Sequence, residues 1–83
     1  MAVYVNRALW AWKGKYWCHM IADYVVELHE MADRLGLKRC WFQAKRPHYN
    51  LTEKERAQAI ALGAVPLERE EFVEKWNGIK ETL

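Results

Sequence analysis

The sequence predicts a single α/β domain in which a mixed four-stranded sheet is packed by three helices. Two segments rich in β-branched and aromatic residues come first in the chain, and segments with helical spacing of apolar residues follow, separated by short strand-like stretches. The chain has 83 residues, enough for one domain with a narrow margin of stability. We therefore expect a β-hairpin followed by a β-α-β-α-β succession within residues 1–83.

The hairpin is predicted from the first 22 residues. Residues 2–5, AVYV, have strand composition, and residues 10–15, WAWKGK, are typical of a turn or hairpin tip. Residues 16–22, YWCHMIA, are long enough for a second strand that pairs antiparallel with the first. Side-chain alternation places Trp17, His19 and Ile21 on one face of that strand.

A helix and a third strand should follow. Asp23 precedes an apolar stripe with helical spacing and is expected to cap the helix, and Gly36 should end it. The stripe consists of Val25, Leu28, Ala32 and Leu35. Residues 40–43, CWFQ, are predicted to form a strand reached by a right-handed parallel crossover. Residues 45–50 are predicted to form a loop, because proline restricts the chain there.

The last third of the chain predicts two helices and a short strand. Thr52 and Glu55 match a capping box, so a helix should begin there and run to Gly63. Residues 64–67 resemble a brief edge strand, since a proline lies within them. The acidic run of residues 68–71 should open a third helix that buries Phe72, Val73 and Trp76.

Composition limits the function classes. The formal charge is +2, but residues 1–46 hold eight Lys/Arg against four Asp/Glu, whereas residues 47–83 hold five against seven, so the first half is the expected face for an anionic partner. No apolar run is long enough to span a membrane, and no signal peptide is apparent, so we expect a cytoplasmic protein without a membrane partner. Cys18 and Cys40 lack CxxC spacing and are expected to be buried free thiols. The absence of serine excludes a serine nucleophile.

Two groups of residues suggest a binding site. In an α/β sheet, ligands bind at the carboxyl ends of parallel strands, an edge that should collect Asp23, Gln43, the loop of residues 45–49 and His19. The second group precedes the second helix, whose N-terminus favours phosphate; it consists of Lys45, Arg46, His48 and Tyr49, with Arg56 one turn further on. The alternative is a solvated basic loop before a capped helix, because Glu53 and Glu55 oppose an anion there.

The tip of the predicted hairpin resembles a nucleic-acid or nucleotide contact. Aromatic residues that alternate with basic ones can stack bases and neutralise phosphates, and here they are Trp10, Trp12, Lys13 and Lys15. Trp17 and Trp41 are instead expected to lie in the core, because so small a domain has few other side chains of that size.

Three hypotheses follow. The leading one is a module that binds a nucleotide or another phosphorylated small ligand, with no cofactor or metal. The second is a hydrolase or phosphodiesterase in which His19 and His48 act as acid and base and Asp23 orients one of them. The third is a host-protein or nucleic-acid binder that uses the Trp-Lys tip. A zinc site is disfavoured because its ligands would have to come from distant segments, and exposed tryptophan with a short edge strand makes a homodimer an expectation.

The strings AVYV, WAWKGKYWCHMIAD, ELHEMADRLGL, WFQ, PHYNLT and AIALGAV resemble family 4031 of the domains of unknown function over about residues 2–67. The family pattern has Asp where this chain has Asn6, and HYD where this chain has residues 48–50, so a carboxylate role at either position does not carry over. The resemblance implies a small, soluble, often phage-encoded protein but no chemistry. Matching positions are His19, Asp23, Trp41, Gln43, His48 and Tyr49.

Overall fold

The computed structural model describes residues 2–7 and 10–79. Within them, five strands form one mixed sheet and three α-helices pack against it, which confirms the predicted fold class with one strand more than expected. The strands are β1 (Val3–Val5), β2 (Trp10–Trp12), β3 (Lys15–Ala22), β4 (Tyr49–Thr52) and β5 (Val65–Pro66). The helices are α1 (Val25–Arg34), α2 (Glu53–Ala61) and α3 (Arg69–Asn77).

Strand β3 is the centre of the sheet. Met20 pairs with both Val5 of β1 and Tyr49 of β4, and Trp17 pairs with both Trp10 of β2 and Thr52 of β4. A strand has two hydrogen-bonding edges, so β1 and β2 lie in succession along one edge and β4 lies along the other. These pairings are antiparallel, whereas β5 pairs parallel with β1 and makes the sheet mixed.

The tip that joins β2 to β3 is a two-residue turn. Lys13 and Gly14 have φ angles of 51° and 75°, the positive values that a type I′ turn requires at both central positions. Such turns match the right-handed twist of the two strands. The predicted hairpin tip is therefore confirmed, although its short strand β2 was not distinguished from the turn in the sequence.

The two faces of β3 belong to different cores. The larger core lies under α1 and α2 and includes Cys18, Met20, Tyr49, Leu51, Leu28, Ala32 and Ala59. On the other face, Ile21 packs with Tyr4 of β1 and Phe72 of α3. Helices thus cover both sides of the sheet, and α3 covers only the end of its face that is near Ile21.

Helix α1 agrees with its apolar stripe, but its first turn differs from expectation. Tyr24 rather than Asp23 is the N-cap residue, and the tyrosine side chain makes no capping hydrogen bond. The Asp23 carboxylate accepts hydrogen bonds from the Tyr4 hydroxyl and the Ala2 amide, both at 3.0 Å. The helix ends before Gly36, whose φ of 74° is the left-handed conformation expected after a helix.

The predicted strand at residues 40–43 is wrong. Residues Arg39–Trp41 form one turn of 3-10 helix, and the Gln43 amide donates to the His48 carbonyl at 3.0 Å in a single antiparallel bridge. The strand is instead β4, whose first two residues lie in the segment predicted to be a loop. Because β4 is antiparallel to β3, the expected parallel crossover and its carboxyl-end edge are also wrong.

The pattern of burial explains this choice of strand. In β4, Tyr49 and Leu51 are buried on the larger core while the residues that alternate with them are only partly buried. The aromatic segment before it shows no such alternation. Cys40 and Trp41 are therefore exposed, contrary to the expectation that both are buried, whereas Cys18 is buried as predicted.

The last elements agree with prediction, with one exception. β5 is a short strand paired with β1, and α3 begins after Glu68 and ends at Gly78. Phe72 is buried, but Val73 is 39% exposed and does not contribute to the core as expected. None of the helices in the described ranges is long and apolar enough to cross a membrane.

The start of α2 gives a test of the fold. The Thr52 hydroxyl accepts from the Glu55 amide at 3.3 Å, and the Glu55 carboxylate accepts from the Thr52 amide at 2.9 Å, which completes the predicted capping box. We expect Thr52→Ala to lower the free energy of unfolding by about 1 kcal/mol, because one helix amide loses its acceptor. Thr52→Ser, which keeps the hydroxyl, is the control in urea unfolding. Equal losses in the two variants would contradict this assignment.

Candidate functional site

Four aromatic rings meet on the α3 face of the sheet, and we call them the histidine cluster: Trp10, His19, His48 and Trp76. The centroid of the His19 ring lies 4.6 Å from Trp10, 5.1 Å from His48 and 4.9 Å from Trp76. The His48 and Trp76 centroids are 5.0 Å apart. Rings from three other parts of the chain thus converge on His19.

Each ring is positioned by a different element. His19 is on the α3 face of β3, as alternation predicted, and its neighbour Trp10 comes from the adjacent edge strand β2. His48 is held by the bridge to Gln43, directly before β4. Trp76 lies one helical turn after Phe72, whose buried ring packs against it at 5.5 Å. Anchoring of α3 by Phe72 therefore places Trp76 over the two histidines.

Asn6 links the backbone of β1 to His19 where the ladder between β1 and β3 is interrupted. The backbone amide of Asn6 donates to the His19 carbonyl at 3.3 Å, and the side-chain oxygen of Asn6 accepts from the backbone amide of His19 at 2.7 Å. The carbonyl of Asn6 points elsewhere and accepts from Arg56 Nε at 2.6 Å. The asparagine side chain thus replaces a backbone carbonyl in the sheet, and it is buried.

The same side chain fixes the proton on His19. Because the Asn6 oxygen accepts from the backbone, its Nδ2 is the atom that lies 3.3 Å from His19 Nδ1. An amide nitrogen only donates, so Nδ1 must accept and the ring proton must be on Nε2. Burial, together with the neighbouring His48 and Arg46, lowers the pKa of His19 to about 4, so the ring is neutral near pH 7.

His48 has the opposite tautomer. Its Nδ1 lies 2.6 Å from the carbonyl oxygen of Arg46, which can only accept, so the proton is on Nδ1 and Nε2 is the acceptor nitrogen. Burial lowers the pKa of His48, whereas its hydrogen bonds to the Arg46 carbonyl and to Asn50 raise it. The two neutral histidines therefore present one donor and one acceptor within the same cluster.

Two buried polar atoms beside His19 have no hydrogen-bond partner among residues 2–7 and 10–79. They are Asn50 Oδ1 and Trp76 Nε1, although the Asn50 side chain is close enough to His48 to raise the pKa of that ring. Asn50 pairs directly with His19 between β4 and β3, so both side chains are on the same face. An unpaired buried donor or acceptor costs about 1–3 kcal/mol, and a polar ligand group that reached these atoms would recover part of that cost.

Arg46 supplies the positive charge at the cluster. Its guanidinium carbon lies 4.1 Å from the centre of the Trp76 ring, in a cation–π contact, while the residue as a whole is exposed. Arg56 is turned toward Asn6, and Arg7 is paired with Glu68 at 2.7 Å. A guanidinium on the rim of a neutral, hydrogen-bonding cluster is suited to an anionic ligand.

The structure separates other predicted site residues from the cluster. Asp23 is bound to Tyr4 and does not orient a histidine; Asn6 and the Arg46 carbonyl do so. Tyr49 is buried on the opposite face, where its hydroxyl lies 2.8 Å from His29 Nδ1. Gln43 reaches His48 through its backbone, and Lys45 is exposed in the turn between them.

The remaining predicted residues lie at the hairpin tip. Trp12 is 55% exposed, and Lys13 Nζ lies 4.6 Å from the centre of its ring. Lys15 pairs with Trp12 across the hairpin. These residues share the face of the histidine cluster, but they lie at the start of β3, beside the hairpin turn.

Asn6 and Asn50 were not predicted as site residues, and Trp76 was assigned to the core alone. One signal for Asn6 was available: a polar residue directly after VYV, opposite an apolar strand, should need a partner. Within the described ranges, no three His, Cys, Asp or Glu side chains come together as a metal ion would require.

The low pKa of His19 predicts how stability depends on pH. In the unfolded chain His19 binds a proton below about pH 6.5, whereas in the folded chain it binds a proton only below about pH 4. The unfolded state then binds more protons, so the free energy of unfolding should fall as pH falls from about 6.5 to about 4. His19→Gln should reduce this slope in urea unfolding. An unchanged slope would contradict the assignment.

The comparisons with known proteins give a family but no activity. The model of a family described as "Protein of unknown function (DUF4031)" matches residues 3–77, which extends beyond the resemblance at residues 2–67 and includes α3. No curated protein and no solved structure gives a significant match. Since the match covers nearly the whole chain, including every ring of the histidine cluster, the protein belongs to the DUF4031 family.

Proposed function

We propose that the histidine cluster binds a phosphorylated small ligand, and that a nucleotide is the class it fits best. The observation that carries the proposal is the pairing of two neutral histidines of opposite tautomer beside Trp76, whose ring contacts the guanidinium of Arg46. None of the contacts described above for the four rings involves a carboxylate. An anion is therefore attracted at the rim and meets hydrogen-bonding groups inside.

The polar atoms of the cluster divide into donors and acceptors. His19 Nε2, Trp76 Nε1 and the guanidinium of Arg46 donate, which suits phosphate oxygens. His48 Nε2 and Asn50 Oδ1 accept, which suits a hydroxyl or amino group. A nucleotide offers both kinds of group in one molecule, because its hydroxyl and amino donors are separate from its phosphate oxygens.

Aromatic and basic groups nearby would complete the interaction. Trp10 contacts His19 and is only partly buried, so a base could stack on its outer side. Lys13, Lys15 and Lys45 would add long-range attraction for phosphate, and Gln43 would lie at the rim. Because the four rings are in contact, ligand entry would move Arg46 from the Trp76 face onto the phosphate.

Two concavities elsewhere on the surface are less suited to this ligand. One between β1 and α1 is lined by Glu27, Glu30 and Arg34, so two carboxylates face any anion. Another, between α1 and α2, is lined by Arg34 and mainly uncharged side chains. In the part of the chain that the structure describes, the histidine cluster brings a cation, aromatic rings and unpaired polar atoms together.

A second candidate function is phosphodiester hydrolysis, and the opposite tautomers favour it. His48 Nε2 would take a proton from water as the water oxygen bonds to phosphorus, and would return it to the leaving oxygen as the ester bond breaks. His19 Nε2–H would donate a hydrogen bond to a non-bridging phosphate oxygen. Asn6, in place of the predicted Asp23, would hold His19 in the required tautomer.

A cytoplasmic location, in the host if the protein is phage-encoded, is part of the proposal. The two cysteines in the described ranges are free thiols, one of them exposed at Cys40. Exposed free thiols are kept reduced in the cytoplasm, which supports this location.

Calorimetric titration with adenosine 5′-monophosphate tests the proposal. We expect saturable binding that Arg46→Ala weakens about tenfold, because a charge-assisted contact is lost. Arg39→Ala removes the same charge from a site where Arg39 lies 3.7 Å from Asp33, and it should have little effect. Absence of binding to nucleotides, or equal losses in both variants, would contradict the proposal.

Incubation with a dinucleotide separates the two functions. A binding module would return the dinucleotide intact, whereas a phosphodiesterase would release mononucleotides that chromatography detects. If cleavage occurs, His48→Gln should abolish it while titration still shows binding.

A further inference from the structure

We infer that the nucleotide recognised at the histidine cluster belongs to a single-stranded nucleic acid, which lies along one face of the β2–β3 hairpin, from its turn to the cluster. This inference rests on the proposed recognition of phosphate at the cluster and extends it to a polymer. The surface concerned, which we call the hairpin face, consists of Trp10, Trp12, Lys13, Lys15 and Trp17. It is a sheet face that α3 leaves uncovered.

The strand register places these side chains together. Trp10 is directly opposite Trp17, and Trp12 is directly opposite Lys15. Directly opposed residues, and residues two apart along a strand, point to the same face of a sheet. Trp17 is two residues before His19, so the hairpin face and the histidine cluster form one continuous surface.

The aromatic rings of the hairpin face are fixed in place without being buried. Trp17 Nε1 donates to the Trp12 carbonyl at 2.9 Å, and the centroids of the two rings are 5.8 Å apart. Trp12 is nevertheless 55% exposed. Exposed aromatic rings held rigidly on a sheet are the platforms on which single-stranded nucleic acids stack their bases.

Charge at both ends of the surface complements a phosphate backbone. Lys13 and Lys15 lie at the tip, and Arg46 lies at the cluster. Glu53 borders the concavity beside Lys15, but the next carboxylate of α2, Glu55, is engaged in the capping box. The cations are therefore spread along the surface, as a linear polyanion requires, rather than gathered at one point.

The length of the surface favours a polymer over a mononucleotide. Lys15 and His19 are four residues apart on β3, which is about 13 Å along the strand. Trp12, Trp17 and Trp10 occupy this distance, and stacking on them would be tolerant of base identity, because every base has an aromatic face. We therefore expect binding to single strands with little sequence preference.

Fluorescence anisotropy with labelled oligothymidylates and oligouridylates of two to ten nucleotides tests this inference. Affinity should rise with length until the hairpin face is covered, and Trp12→Ala should weaken the longest oligonucleotide about tenfold. Tyr16→Ala is the matched control: Tyr16 is 56% exposed in the same hairpin, but strand alternation places it on the opposite face. The Tyr16→Ala variant should bind the oligonucleotides with the same affinity as the unaltered protein.

Salt dependence gives a second readout. If Lys13, Lys15 and Arg46 each neutralise one phosphate, the logarithm of affinity should fall with the logarithm of salt concentration with a slope of about −2. Lys15→Gln should reduce the magnitude of that slope by about 0.7. Circular dichroism of every variant confirms that the fold is retained, and Trp12→Phe should recover most of the binding that Trp12→Ala loses.

The outcomes distinguish this inference from the proposed function. If adenosine 5′-monophosphate binds as tightly as the longest oligonucleotide and Trp12→Ala is neutral, the inference is overturned and the proposed function stands. If oligonucleotides bind but Arg46→Ala is neutral for every ligand, the proposed function is overturned. Affinity for duplexes equal to that for single strands would overturn the inference, because the hairpin face would then not select unpaired bases. A concentration-dependent doubling of mass with no oligonucleotide binding would also overturn it, because the hairpin face would then bind a second copy of the chain.

Discussion

The paired contacts between Asn6 and His19 are the interaction on which the rest of the site depends. At this point β1 has ended and β2 has not begun, so β3 would lose a backbone partner. The Asn6 side chain supplies the missing acceptor at 2.7 Å and also approaches His19 Nδ1 at 3.3 Å. One buried amide thus closes the sheet and sets the tautomer of the central histidine, which joins fold and chemistry in a single residue.

The position of β3 explains why polar chemistry lies on one face alone. From Cys18 to Ala22, one face of this strand is buried in the larger core under α1 and α2. On the other face, Phe72 of α3 packs on Ile21. This coverage by α3 ends where Trp76 contacts the two histidines. The histidine cluster lies at the border between a covered and an open sheet face, a place where side chains are desolvated enough to shift their pKa values yet remain within reach of a ligand.

Elements with local signals could be predicted from the sequence, and those decided by tertiary packing could not. The capping box at Thr52 and the end of α1 at Gly36 depend on neighbouring residues. The choice of β4 over residues 40–43 depends on which segment alternates buried and open side chains against β3. His19 and His48 were identified by their chemistry, whereas Asn6 acts through a partner thirteen residues away that only the folded sheet brings near.

Nitrogen NMR of the imidazole rings at about pH 7 tests the two tautomers, because nitrogen shifts distinguish a protonated from an unprotonated ring nitrogen. We expect a neutral His19 with its proton on Nε2 and a neutral His48 with its proton on Nδ1. The same tautomer in both rings, or a charged His19, would contradict this expectation, because the cluster would then lack the paired donor and acceptor from which its function is inferred.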